Sequence, residues 1–262
     1  MKRFSEIPLE QIFSKSDAPA TYRCPICKDQ GVLFDGEIAY PCRCAKEAHL
    51  TARKERAGIT PRLLKQTFDR FDLSFYSDES RGANKLTFRD NAAETRKAAR
   101  RFVDDVIDGK EPCGLMFQGA VGSGKTFLAA AIANALIEAG VDVDFTVVPD
   151  FLDRLRESFG DDSEESESDL MNEVKHVPVL ILDDLGAHNY TDWSIKTIFA
   201  ILNYRVNYEK PTIVTTNLER RDIEELLGSR IYSRLMEACR FFRLENTKDI
   251  RMEKRIREIR KG

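Results

Sequence analysis

Gly119-Ala-Val-Gly-Ser-Gly-Lys-Thr126 is the stretch that decides the fold. It matches the phosphate-binding pattern G-x-x-x-x-G-K-[ST] at every fixed position. Gly119, Gly122 and Gly124 let the backbone turn so that successive N–H groups face an anion. Lys125 then reaches the β- and γ-phosphates, and the Thr126 hydroxyl is placed for Mg2+. The flanks supply the context that the pattern requires. Gly114-Leu-Met-Phe-Gln118 is a short apolar run of buried-strand type, and residues 127–137 are rich in Ala and Leu and read as a helix. The helix N-terminus adds its dipole to the phosphate site. The expected ATP or ADP contacts are Gly119, Gly122, Ser123, Gly124, Lys125, Thr126 and Phe127.

Strands and helices alternate beyond this loop. Residues 143–148 read as a strand, 149–159 as a helix, 178–182 as a near-continuous apolar strand, 193–208 as a helix, 211–215 as a buried strand and 240–244 as the last strand. Apolar runs separated by helices predict an α/β fold, a parallel sheet covered by helices on both faces. Upstream, residues 91–108 read as a helix closing at Gly109. Residues 160–169 are strongly acidic and read as a solvated loop.

Two further strand ends carry chemistry. Val179-Leu-Ile-Leu-Asp183-Asp184 is a hydrophobic strand ending in two carboxylates. Ligands of such sheets collect at the carboxyl ends of strands, so both acids are expected beside the phosphate loop. Asp183 is the expected Mg2+ ligand, with Thr126, and Asp184 the residue that orients or deprotonates the attacking water. The next strand ends Thr215-Thr-Asn217, which places the Asn217 amide near the γ-phosphate and the lytic water. Gly228-Ser-Arg230-Ile-Tyr-Ser-Arg234 sets two arginines on one helix face. Either could meet transition-state phosphoryl charge, often supplied in trans.

The 262 residues suffice for one α/β domain plus a small second unit. A hydrophobic content of 42% suits a packed core, and the net charge of −3 does not argue against nucleic-acid binding. No apolar stretch approaches the roughly 18 residues of a membrane span, and the N-terminus lacks a signal-peptide core, so a cytoplasmic location without membrane partners is expected. In that compartment cysteines are thiols or metal ligands more often than disulfides. Four of the six fall within residues 22–44, as Cys24-Pro-Ile-Cys27 and Cys42-Arg-Cys44. The first pair pre-shapes half a tetrahedron and the second closes it, so Zn2+ is the favoured ligand, with disulfides and a redox or iron–sulfur role as alternatives. The second pair is tight, and His49 could replace one of its cysteines. Residues 32–40 fit a small hairpin, and 45–57 a helix stopped at Gly58. Metal binding would supply much of the folding free energy of so small a unit. Cys113 and Cys239 flank strands and read as buried thiols.

The stretches from Phe117 to Arg251 resemble AAA+ ATPases of the bacterial and phage replicative helicase-loader group (DnaC and DnaI type), with IstB-like transposition helpers as close relatives. Gly119–Thr126, Leu180-Ile-Leu-Asp-Asp-Leu-Gly186, Thr215-Thr-Asn217 and Gly228–Arg234 carry the resemblance. The cysteine-rich front, followed by Gly58-Ile-Thr-Pro and Thr67-Phe-Asp-Arg-Phe71, is similar to the phage and DnaI-type loaders in particular. The resemblance implies a P-loop NTPase of AAA+ type with little or no C-terminal lid. It implies residues 1–66 as a zinc-binding, helicase-interaction domain with a linker helix, and 67–262 as the ATPase. Arg234 takes the place of the trans arginine finger, with Arg230 as alternative or helper, and Arg251 that of a sensor arginine acting within its own subunit. Asp184 stands where many AAA+ proteins carry Glu, which fits slow, switch-like hydrolysis.

The implied activity is ATP-controlled loading of a replicative DNA helicase onto single-stranded DNA by a homo-oligomeric ring or spiral. An IstB-like helper acting on duplex DNA and a transposase is the alternative. Channel-facing DNA contacts would come from residues 188–193. Tyr190 stacking on a base, with Asn189 or Thr191 on phosphate, is one reading; a helix cap at Thr191 or Asp192 with Trp193 in the core is the other. Residues 248–261 carry seven basic and three acidic side chains and fit either a DNA contact or a solvated helix.

Overall fold

The computed structural model describes residues 22–36, 38–158, 166–187 and 190–260. The chain divides between His49 and Leu50 into two compact units. The sequence reading placed the division at 66/67, but Ala57, Ile59 and Leu63 are buried in the core of the larger unit.

In the smaller unit, β1 (Val32–Asp35) and β2 (Ile38–Pro41) form an antiparallel hairpin, with Leu33 opposite Tyr40. Helix α1 (Arg43–Arg56) follows directly. The expected hairpin and helix are both present. The leader, residues 1–20, lies outside the described residues.

The larger unit takes in the last part of α1 from Leu50 and continues with three short 3-10 turns between Leu63 and Phe75. Helix α2 (Phe88–Ile107) starts at Thr87, whose hydroxyl accepts from Asp90 N–H. Then come β3 (Gly114–Gln118), α3 (Lys125–Glu138), β4 (Val143–Val147), α4 (Val148–Glu157), α5 (Glu167–His176) and β5 (Val179–Leu185). The chain continues with α6 (Asp192–Asn207), β6 (Thr212–Thr216), α7 (Arg220–Leu227), α8 (Ser229–Ala238), β7 (Cys239–Arg243) and α9 (Ile250–Ile259).

The five strands β3–β7 make one wholly parallel sheet in the order β4-β5-β6-β3-β7. Alternate residues of each central strand feed two separate cores. Leu115, Phe117, Val179, Ile181 and Ile213 join α2 and α3 on one face, while Met116, Leu180, Leu182 and Val214 join α4 to α8 on the other. That is the period-two consequence of a sheet covered on both sides. After β7 the described chain adds only α9.

Two helices were not expected. The acidic composition of 160–169 predicts a loop, but Ser166 caps α5 and Glu167 and Asp169 occupy its first turn, where acids complement the helix dipole. Residues 160–165 lie outside the described part. Helix α7 buries only Ile223 and Leu227.

Arg205 ties the far end of the second core together. It is 1% exposed. Its guanidinium donates to the carbonyls of Val174, Lys175, Val177, Pro178 and Pro211 and to Thr212 Oγ1, at 2.7–3.3 Å. Burial pulls its pKa down to about 10, against the opposing pull of Asp144. Arg205→Met should destabilise the chain by about 3 kcal/mol in urea unfolding, because several buried carbonyls lose their donor at once. A loss below about 1 kcal/mol would show that these carbonyls find other partners.

Candidate nucleotide site and cysteine cluster

The parallel pairing brings the ends of β3, β5 and β6 side by side, with Gln118 opposite Thr216 and Thr216 opposite Leu185. Strand β6 lies between the strand that leads into Gly119–Thr126 and the strand that ends in the two acids. Asn217, just past β6, therefore points into the same crevice as both.

The loop 119–124 enters α3 through Gly124, which is left-handed at φ 97° and contributes no side-chain cap. The N–H groups of Gly124, Lys125, Thr126 and Phe127 find no acceptor in the chain among the described residues. Ser123 Oγ is likewise buried without a partner. At Gly122 (φ 73°) an added Cβ would run into the Asp249 carboxylate. The result is a tight concavity of orphaned donors at a helix N-terminus, which is the donor set a polyphosphate requires.

Lys125 is 4% exposed, and its ammonium donates to Gly119 O (2.9 Å), Ala120 O (2.9 Å) and Asn217 Oδ1 (2.5 Å). Burial lowers its pKa; the charges of Asp184 and Asp183 oppose that shift, and the charge of Arg251 reinforces it. Those four charges thus share one electrostatic neighbourhood. Arg251 is exposed, in the first turn of α9. The first residue of α9 is docked on the loop through Ile250 N–H to Gly122 O (3.1 Å).

Asp183 is 3% exposed. It accepts from Thr215 Oγ1 at 2.6 Å, yet burial still raises its pKa to about 6, with the Thr126 hydroxyl a smaller opposing influence. Thr126 and Asp183, the two expected Mg2+ ligands, lie in one neighbourhood, and a dication held there would relieve the burial of the carboxylate. Asp184 adopts φ 56°, a left-handed conformation unusual for a residue with a side chain, at the point where β5 loses register with β6. Its N–H donates to Thr215 Oγ1 at 2.9 Å. Thr215 thus serves both acids. The sequence reading quoted it without a role, because only the register of β5 against β6 reveals one.

The arginines of α8 stand apart from this cluster. Arg230 is exposed, and Arg234 is paired with Glu237 at 2.7 Å. Neither bonds the phosphate loop among the described residues. In residues 188–193, Tyr190 accepts from Gly186 N–H through its hydroxyl (2.7 Å), and its ring packs on the second core. Thr191 caps α6, and Trp193 packs on the same core beneath the Arg156 guanidinium, 5.4 Å from the ring centre. These three residues follow the cap-and-core reading. His188 and Asn189 lie outside the described residues.

In the smaller unit the four thiols of Cys24, Cys27, Cys42 and Cys44 lie within 4.8 Å of one another. Cys24 Sγ is 3.8 Å from Cys42 Sγ, and Cys27 Sγ is 3.3 Å from Cys44 Sγ. Zn–S bonds of about 2.3 Å in a tetrahedron put sulfurs about 3.8 Å apart, so the cluster fits zinc. Backbone N–H groups of Cys27 and Ile26 pull the Cys24 thiol down to about 7, whereas hydrogen bonding to Cys27 pushes Cys44 up. Gly31 N–H donates to Cys27 Sγ at 3.3 Å, the kind of outer bond that orients a metal thiolate. His49 is exposed on α1 and outside the cluster, so the expectation that it could replace a cysteine is corrected. Cys239 is buried as expected; Cys113 is exposed instead.

A cleft of about 510 Å3 beside β4, lined by Asp144, Arg154 and Glu173 among others, contains none of the residues of either cluster. Among the described residues no helix is long and apolar enough to cross a membrane.

Comparison with known proteins adds the following. The model of the family described as IstB-like ATP binding protein matches residues 81–255. The replicative helicase loader DnaI of Bacillus subtilis (strain 168) is 33% identical over 145 residues, 50% of this chain and 46% of that protein. The replicative helicase loader DnaC of Escherichia coli (strain K12) is 31% identical over 137 residues, 52% of this chain and 55% of that protein. The chain spans about half the length of these curated relatives. A crystal structure of the DnaC helicase loader superposes with a TM-score of 0.58 at 26% identity, covering 71% of this chain and 100% of that one.

The pKa of Asp183 gives a test of the crevice without metal. Its carboxyl holds a proton up to about pH 6 in the folded chain but only to about pH 4 unfolded, so folded stability falls as pH rises through that window. In chelator at pH 7, Asp183→Asn should therefore raise unfolding stability by on the order of 2 kcal/mol. A variant no more stable than the parent at pH 7 would contradict burial as the cause of the shift.

Proposed function

The chain belongs to the IstB-like ATP binding protein family, on an AAA+ fold, and from that premise we propose that it is an ATP-dependent replication protein that loads the replicative helicase onto single-stranded DNA. ATP acts as the assembly switch. The observation that carries the nucleotide half of this reading is the Lys125–Asn217 bond across the sheet crevice, beside Thr126 and Asp183. The loader half is supported by likeness to DnaI and DnaC over the larger unit and by a four-cysteine unit ahead of it.

The residues divide the work as follows. The N–H groups of 124–127 and the Lys125 ammonium bind the phosphates. Thr126 and Asp183 hold Mg2+, which when bound neutralises phosphate charge. Asp184 takes the proton of the attacking water or orients it, and Asn217 positions that water. Asp184 is held from behind by Thr215, so its carboxylate is placed by the backbone turn. A carboxylate one methylene shorter than Glu suits slow turnover, stimulated when DNA aligns neighbouring copies. Arg251 faces the nucleotide of its own subunit, and Arg234, or Arg230, that of a neighbour in a homo-oligomer. Arg234 would first have to leave Glu237.

In this reading the cysteine-rich unit captures the helicase. The zinc unit presents Phe34 and Ile38 of its hairpin at 65% and 71% exposure, an apolar surface suited to a protein partner. The cytoplasm, where thiols stay reduced, suits such a site. The family match itself favours the second reading, an IstB-like transposition helper acting on duplex DNA and a transposase.

Capture by a hexameric replicative helicase, with ATP and then with ADP, separates the two. The loader reading expects nucleotide-dependent capture of helicase and none of transposase; the reverse pattern contradicts it. Replacing Cys24 and Cys27 together with Ser should release zinc and abolish helicase capture while ATP binding survives. Arg234→Ala should bind ATP but lose DNA-stimulated hydrolysis, and unchanged stimulation would move the finger elsewhere.

A further inference from the structure

Tyr76 lies in the irregular segment between the 3-10 turns and α2, far in sequence from the phosphate loop. It is nevertheless 2% exposed, and its hydroxyl donates to Ser123 O at 2.7 Å. Phe71 packs on it, ring centres 5.6 Å apart, and reaches the underside of Gly124, where an added Cβ would sit 3.2 Å from the Phe71 ring and 2.6 Å from the Tyr76 hydroxyl. Burial raises the Tyr76 pKa, so the group stays a donor across the working pH range.

The peptide between Ser123 and Gly124 is planar and trans, so its C=O and N–H point in opposite directions. Anchoring the Ser123 carbonyl downward on Tyr76 therefore aims the Gly124 N–H upward, into the concavity of unpaired donors. Gly124 at φ 97° is free to accept either orientation of this peptide, since glycine populates both signs of φ with little cost.

We propose that Tyr76 is a positioning residue for the phosphate loop: its hydroxyl locks the 123–124 peptide in the orientation that presents the Gly124 N–H to the nucleotide's phosphates. The lock explains why an aromatic side chain outside the motif is buried beneath it with its one polar atom spent on a loop carbonyl. The proposal rests on the nucleotide-binding reading above and adds the element that pre-organises that site. Because the hydroxyl acts through the peptide, its effect falls on phosphate recognition rather than on the adenosine end.

The test uses the full, zinc-loaded chain. Parent and Tyr76→Phe are compared for Mg-ADP and inorganic pyrophosphate affinity by competition against a fluorescent ADP, and for unfolding in urea. The parent must bind Mg-ADP; failure there sinks the nucleotide reading itself. Tyr76→Phe keeps the ring and removes only the hydroxyl. The expected result is a roughly tenfold weakening for both ADP and pyrophosphate, the size of one lost hydrogen bond to a charged group. Affinity within twofold of the parent, with only the urea midpoint lowered, would assign Tyr76 a merely structural role and overturn the proposal. A second measurement needs no variant. In the parent, the Gly124 amide proton should move downfield on adding pyrophosphate, and an unmoved resonance would equally overturn it.

Discussion

The rest of this structure is arranged around one buried ammonium. Lys125 sits at the start of α3 with its charge removed from water, satisfied by two loop carbonyls and by Asn217 from a different strand. Burial works against its charge, and across the crevice it works against the charge of Asp183 as well. Two groups that each dislike their environment, beside a row of N–H donors with no acceptor among the described residues, form a site whose electrostatics a metal-bound polyphosphate would complete. Stability surrendered in this way at a binding site is the usual trade.

The strand order makes that arrangement possible. Placing β6 between β3 and β5 puts the amide of Asn217 next to the lysine and the hydroxyl of Thr215 between the two acids. The break in register at the end of β5 lets Asp183 face inward while Asp184 turns through a left-handed conformation. The cysteine unit follows separate logic. Its hairpin is largely exposed, and its four sulfurs lie within 4.8 Å of one another, close enough to share one tetrahedral metal. A unit of this size would draw folding free energy from an ion held there, while the larger unit draws on two large cores.

Much of this was legible in the chain because the deciding signals are local. Residues 119–126 carry their own backbone requirements, and the strands of a doubly covered sheet announce themselves as unbroken apolar runs such as Val179–Leu182. The four cysteines point to a metal site by spacing, and the fold brings their thiols within 4.8 Å of one another. What was missed depends on partners distant in sequence. Helix α5 buries Leu170 and Val174 and α7 buries Ile223 and Leu227, too few apolar residues amid charge to set a helical period. The double role of Thr215 needs strand register, and the place of Tyr76 beneath the loop needs the tertiary fold. His49 looked eligible as a ligand by proximity in sequence, but α1 carries it to the surface.

The crevice between Lys125, Asp183 and Asn217 is the proposed seat of a magnesium-bound nucleoside triphosphate. Calorimetric titration of the zinc-loaded chain with ATP, with and without Mg2+, and of Lys125→Ala in parallel, tests it most directly. The account predicts one nucleotide per chain, tighter with Mg2+ and lost in the variant. No binding at millimolar ATP, or equal binding by the variant, would contradict it.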